Sequence, residues 1–455
     1  MKTIKYLLLV LPFIWMASCQ PKVEMDFEDG ELIHGAMQKL TDIIVYDIFS
    51  PPVASRIYSY ASIAGYEAML PSNPAYQTLA GQIKGLETVP QPEAEKQYNH
   101  AVAGIHAFLT VGRAMIFSED KMEAYQQQLY GQFENALDSD VYENSMAYGQ
   151  QVADHILAWA DKDMYKQTRT FPKFTVKNEP GRWQPTPPDY MDGIEPHWRE
   201  IRPLVIDSAG QFPPEPPTPF SIDEGSQFYE EMMEVYETGN NLNDEQEEIA
   251  KFWDCNPYVS HHQGHVMFAT KKITPGGHWI GITAIASRQS EASLMQATEA
   301  YAFTSIALMD AFISCWDEKY RSNLIRPETV INQYVDPDWT PLLQTPPFPE
   351  YTSGHSVISA SAAVALTHVY GENFAFLDTT EVMYGLPPRE FSSFKQASEE
   401  AAISRLYGGI HYMPACSVGV IQGRKVGNFV VENLTTLKDR PRATAMIEEE
   451  VVLEK

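Results

Sequence analysis

Apolar positions along the chain recur with helical spacing, three and four residues apart, and clean strand alternation is scarce. That rhythm predicts amphipathic or buried helices over residues 53–70, 93–117, 118–137, 140–159, 221–236, 243–253, 394–407 and 417–434, with a cap at Ser118. A longer helix is expected over 280–315, running on to Lys319. The small, apolar run from Ser356 to Leu366 reads as a helix buried on all sides. The expected fold is therefore all-α: one large helical domain over 31–437. Helices in 31–280 would pack around a C-terminal half in 281–437. Residues 71–92 read as loop. Residues 168–219 carry many prolines interleaved with Trp183 and Trp198, which marks a long ordered loop that either covers a pocket mouth or wraps the surface.

The two ends read differently. Lys2 and Lys5 precede an apolar run from Tyr6 to Met16, followed by Ala17-Ser18-Cys19. A positive start, a short apolar core and small residues describe a secretory signal over 1–18. Cysteine directly after Ala-Ser has the form of a bacterial lipoprotein cleavage box, with acylation at Cys19 and residues 19–30 as a tether. The expected location is the bacterial cell envelope, with a lipid anchor to the membrane. Residues 438–455 form a charged tail expected to fray.

Candidate chemistry gathers between Lys319 and His411 in three clusters: Lys319-x6-Arg326-Pro327, Thr352-Ser353-Gly354-His355, and Ser404-Arg405-x5-His411. An oxyanion spreads its charge over several oxygens, so holding one takes cations from more than one side, and arginine supplies a planar fork of donors. Lys319 and Arg326 would share a helix face two turns apart, with Pro327 ending that helix. Ser353 and Gly354 open the buried helix, whose first N–H groups would face an anion. His355 in its first turn is placed to give or take a proton. Gly408-Gly409 lets the chain turn, so that Arg405 and His411 can converge.

Together these clusters resemble the signature of the vanadium-dependent haloperoxidase and type-2 phosphatidic acid phosphatase superfamily. Thr352 replaces the usual proline, and Ala415 stands where the family often has an aspartate that orients the nucleophilic histidine. The resemblance implies a helical bundle with the pocket between helices. It also implies vanadate bound axially by His411, with Lys319, Arg326, Ser353, Gly354 and Arg405 on its other oxygens. His355 would then be the acid–base, Lys319 would polarise hydrogen peroxide, and a halide would be oxidised. The alternative is a phosphatase acting on a phosphate monoester, with no cofactor. In it His411 attacks phosphorus and His355 protonates the leaving group. Ala415 and the large N-terminal half favour the peroxidase. A third alternative is a non-enzymatic oxyanion-binding lipoprotein, which the retention of both histidines and both arginines disfavours.

Charge and cysteines narrow the picture further. Lys and Arg number 33 against 60 acidic residues, a formal net charge of −27. Removing residues 1–18 takes two lysines and no acids, leaving 31 against 60, or −29. That balance argues against nucleic-acid binding and makes the pocket's cations a local exception. Lipidation of Cys19 would leave Cys255, Cys315 and Cys416, so no disulfide framework is expected. His261 and His265 have metal-ligand spacing if helical, with His262 and His278 nearby. No carboxylate stands at a matching offset, so this group reads as packing.

Overall fold

The structure, a computed structural model, describes residues 24–263, 265–440, 451 and 453. The signal sequence and Cys19 lie outside the described residues, as does most of the expected tail. The all-α expectation holds. The N-terminal half is built from α1 (Glu31–Asp47), α2 (Pro51–Met69), α3 (His100–Ala114), α4 (Glu119–Ala136), α5 (Ser139–Ala160) and the single turn α6 (Tyr165–Thr168). Next come α7 (Gln227–Asn240), α8 (Asp244–Phe252), α9 (Pro275–Gln289) and α10 (Leu294–Ser322). The C-terminal half continues with α11 (Pro327–Tyr334), α12 (Gly354–Tyr370), α13 (Phe394–Tyr407) and α14 (Met413–Asn433). Two short antiparallel hairpins interrupt the helices: β1 (Val259–Gln263) with β2 (Val266–Thr270), and β3 (Phe376–Asp378) with β4 (Arg389–Phe391).

Helix α12 is the axle of the C-terminal half. It packs against α10, α13 and α14. Its small residues let neighbours come close, and α14 answers with glycines at i, i+4, i+8. A Cβ on Gly423 would lie 2.2 Å from the Val357 carbonyl oxygen. Only glycine permits that approach, so α14 lies with its backbone directly on α12. Helix α10 carries the contact to the N-terminal half by packing on α2.

Several expectations need correction. The long helix over 280–315 is two helices. Ser293 caps α10 in a reciprocal capping box with Gln296, so the chain stops at Gln289 and restarts. Pro327 starts a helix instead of ending one. Asn323, in the left-handed conformation, closes α10, and Arg326 and Pro327 are the N-cap and first residue of α11. Lys319 and Arg326 thus sit on two elements and do not share a helix face. Ser118 precedes α4 without a capping bond, and its hydroxyl donates to Asp47. His261 lies on a strand and His265 in the exposed hairpin turn, so helical ligand spacing does not apply to them. The start of the expected tail is not frayed, since Arg440 pairs with buried Glu299.

The proline-rich loop is pinned from below. Asp310 on α10 accepts N–H bonds from Leu204, Val205 and Ile206 at 2.7, 2.7 and 2.9 Å. Trp316 and Tyr320 on the same helix donate to the Ile194 carbonyl. Trp183 and Trp198 are fully buried beneath it.

Candidate active site

The three clusters converge at one end of α12. A cavity of about 280 Å³ opens there, with Gly354, His355, Arg405 and His411 in its polar wall. Its apolar wall includes Phe312, Trp316, Pro346 and Phe348. Met191 and Ile194 of the proline-rich loop also line it, which places that loop at the cavity.

Each site residue is positioned by a helix end. Ser353 is the N-cap of α12, its hydroxyl accepting the Ser356 N–H at 3.3 Å. Its own N–H donates to the Ala415 carbonyl at 3.0 Å, which ties the start of α12 to the start of α14. Gly354 and His355 are the first residues of α12, whose leading N–H groups have no acceptor within the helix. Arg405 sits in the last turn of α13, and Gly409 at φ +75° turns the chain toward His411.

His411 is held by two neighbours that leave its ring a single tautomer. Its Nδ1 lies 2.8 Å from Glu350 Oε1, an acceptor, while Arg326 Nη1, which can only donate, lies 3.1 Å from Nε2. Nδ1 therefore carries the proton and Nε2 presents a lone pair. Burial first, then Arg326, Lys319 and Arg405, push the His411 pKa well below its ordinary value, so the ring is neutral. Glu350 is fully buried and also accepts the Tyr412 N–H at 3.1 Å. Its pKa rises to about 7 through burial, opposed by Arg326 and Lys319. Glu350 corrects one inference from sequence. The missing aspartate at Ala415 does not leave His411 unoriented, because the Glu350 carboxylate meets Nδ1 at 2.8 Å.

The other groups surround an electropositive centre. Arg326 is buried, donating Nε to the Phe348 carbonyl at 2.9 Å and Nη1 to the Ile410 carbonyl at 2.8 Å. Its buried Nη2 has no hydrogen-bond partner among the described residues. Arg405 donates Nη2 to the Trp253 carbonyl at 2.8 Å. The His355 ring bonds the Trp253 backbone, its Nε2 has no hydrogen-bond partner among the described residues, and burial, Arg405 and His278 push its pKa well down. Lys319 stands apart from the cavity wall. Its ammonium donates to the carbonyls of Pro349, Glu350 and Thr352 at 3.1, 3.0 and 2.6 Å. Burial lowers its pKa to about 8. Its three N–H groups are thus committed to the segment that delivers Ser353, and its charge lies directly behind Gly354.

Among solved structures, one described as the first bacterial vanadium-dependent iodoperoxidase is 53% identical, at a TM-score of 0.88 over 92% of this chain and 100% of that one. The chain belongs to the vanadium-dependent haloperoxidases. The family model for the VCPO second helical-bundle domain matches residues 299–440, which contain all three clusters. The haloperoxidase also shares its fold with holo-type and apo-type bacterial vanadium-dependent chloroperoxidases. Each is 16% identical and covers 90% of this chain and 98% of the other, with TM-scores of 0.70 and 0.67. No curated protein sequence matches it.

Vanadate is the cofactor of this haloperoxidase family, and the residues present fit it. Buried Arg326 Nη2 and His355 Nε2 that bond none of the described residues, a fixed lone pair on His411 Nε2, and the three buried cations Lys319, Arg326 and Arg405 all suit a multivalent oxyanion. Two groups of the site were not legible beforehand. Glu350 lay within a proline-rich approach with no periodic signal, and Trp253 acts through its carbonyl, which sequence never marks.

Proposed function

We propose that this haloperoxidase oxidises iodide with hydrogen peroxide. The observation that carries the reading is the His411 ring, fixed between Glu350 and Arg326 with its lone pair on Nε2. In this reading His411 binds vanadium, Arg326 and Arg405 neutralise the oxyanion, and Ser353 and Gly354 hold it at the start of α12. Lys319 adds positive charge from behind Gly354. Bound vanadate supplies a Lewis-acid centre that activates peroxide as a two-electron oxidant. Peroxide and iodide give hypoiodous acid and water with uptake of one proton. His355 is neutral, with Nδ1 toward the Trp253 carbonyl and Nε2 open to the cavity, so it can relay that proton.

Iodide is favoured over smaller halides by two arguments. The 53% identical structure is that of an iodoperoxidase. The cavity also offers Phe312, Trp316, Pro346 and Phe348, and a large anion loses less hydration free energy on entering an apolar wall than a small one. Triiodide formation by vanadate-loaded protein, compared with bromide and chloride oxidation, tests this. Iodide turnover with little chloride turnover is expected. Protein that binds vanadate yet leaves iodide untouched would refute it.

We also propose that the chain is exported and tethered to the membrane through acylated Cys19. The support is the Met16-Ala17-Ser18-Cys19 box after a short apolar run. Among the described residues no helix is long and apolar enough to cross a membrane.

A further inference from the structure

Beside the cavity, with Cys255 in its wall, lies a second cluster that the oxidation chemistry does not use. Cys255 follows α8, His278 stands in the first turn of α9, and Glu381 follows β3; all three are fully buried. His278 Nδ1 lies 3.2 Å from Cys255 Sγ and 3.4 Å from Glu381 Oε1, and Sγ lies 3.9 Å from the same Oε1. The other carboxylate oxygen, Glu381 Oε2, is buried without a hydrogen-bond partner among the described residues. On its far side His278 Nε2 meets Asp378 Oδ2 at 2.8 Å and the Thr380 hydroxyl at 2.7 Å.

We propose that Cys255, His278 and Glu381 bind a divalent transition-metal ion, with zinc the best match. Zinc–sulfur, zinc–nitrogen and zinc–oxygen bonds of about 2.3, 2.0 and 2.0 Å at tetrahedral angles place the ligand atoms roughly 3.3–3.6 Å apart. The observed separations of 3.2, 3.4 and 3.9 Å bracket that range without any rearrangement of the backbone. Thiolate, imidazole and carboxylate are also the ligand types zinc selects. Asp378 completes the pattern, because a metal-ligating histidine ordinarily passes its second N–H to a carboxylate that fixes the tautomer.

A zinc ligand set of this kind binds as thiolate, neutral imidazole and carboxylate, so metal binding releases protons to solvent and affinity falls in acid.

The ion would act at a distance from the halide chemistry. It would clip the end of α8, the start of α9 and the β3 segment together. The Trp253 ring stacks on His278 at 4.5 Å, and the Trp253 carbonyl holds Arg405. Metal binding would therefore fix the backbone group on which Arg405 and His355 rest. It would also shield the Cys255 thiol, which lines the cavity and so, on the proposed function, faces the oxidised halogen formed there.

Cobalt substitution tests the site on the whole protein. Chelator-treated protein is titrated with Co²⁺ in the absence of vanadate, then with Zn²⁺. The expected result is about one equivalent of Co²⁺ with a near-ultraviolet thiolate-to-cobalt band, displaced by Zn²⁺. Cys255→Ser should lose the band, and Cys315→Ser and Cys416→Ser should retain it. Folded parent protein that shows no such band at stoichiometric Co²⁺ would overturn the proposal, whether or not Cys255→Ser folds. Persistence of the band in folded Cys255→Ser would overturn it equally. A protein lacking iodide oxidation but showing the band would leave the site standing and remove only the halide assignment.

Discussion

Glu350 Oε1 stands 2.8 Å from His411 Nδ1, and that one contact decides which ring nitrogen faces the anion. Partners of this kind typically change metal affinity about 10–100-fold when removed. Glu350→Ala should weaken vanadate binding by that factor. Glu350→Gln keeps an acceptor for Nδ1–H and should lose less. Vanadate titration of both variants checks the ordering; equal affinity in Glu350→Ala and the parent would show that packing alone orients the ring.

The two histidines should fail in different ways. His411→Ala removes the proposed ligand, so tight vanadate binding and turnover should vanish together. His355→Ala removes a proton relay, so vanadate binding should largely persist while turnover falls about 10²–10⁴-fold. Arg326→Lys keeps the charge but loses the fork, and it should weaken the anion clearly. Binding and rate measured on the same three preparations separate these outcomes.

Lys319 gives the site a dependence on alkaline pH. Its folded-state pKa is about 8, against 10.5 as the ordinary value. Between those two pH values the unfolded chain holds the proton and the folded chain does not. The Lys319 contribution to stability therefore rises with pH across that window. Vanadate affinity should move the opposite way, falling above about pH 8 as the cation is lost. Lys319→Met should bind vanadate more weakly below pH 8 and show a flatter profile above it. An unchanged alkaline profile in Lys319→Met would assign the effect to another group.

Gly423 is where the close approach of α14 to α12 can be probed. Its added Cβ would meet the Val357 carbonyl oxygen at 2.2 Å, backbone against backbone. Gly423→Ala should destabilise the protein by about 1–3 kcal/mol, the usual range for overpacking. A Cβ added at Gly131 on α4 would meet no neighbouring atom within 4 Å among the described residues. Gly131→Ala should therefore be neutral or stabilising, by up to about 1 kcal/mol. Urea midpoints of the two variants give the comparison.

Membrane attachment can be read from fractionation. Cys19→Ala should release the protein from the membrane fraction or block its processing. Normal processing with unchanged anchoring would show that attachment has another origin.

The fold and most of the site could be read from sequence, for particular reasons. Phe394–Tyr407 and the helix from Gly354 announce themselves because burial follows the 3.6-residue repeat or covers every face. The three clusters were visible because their side chains carry the chemistry. Arg326 was misplaced because a proline reads equally well as the end of one helix and the start of the next, and Asn323 decided between them. Glu350, Trp253 and the Cys255–His278–Glu381 trio were hidden for a different reason. Their roles depend on tertiary juxtaposition over tens to more than a hundred residues, and in Trp253 on a main-chain carbonyl. The histidines at 261 and 265 drew attention through spacing, yet the hairpin strand removed the helical geometry that gave the spacing meaning.

The glycine-mediated contact between α12 and α14 has a thermal consequence. Helix α12 carries His355 in its first turn, α14 begins at Met413 just after His411, and the N–H of Ser353 is fastened to the Ala415 carbonyl. The separation of the histidines is thus set by a buried helix pair at the centre of the C-terminal half. Such a site has no melting point of its own: heat inactivation and loss of tertiary structure should trace a single curve.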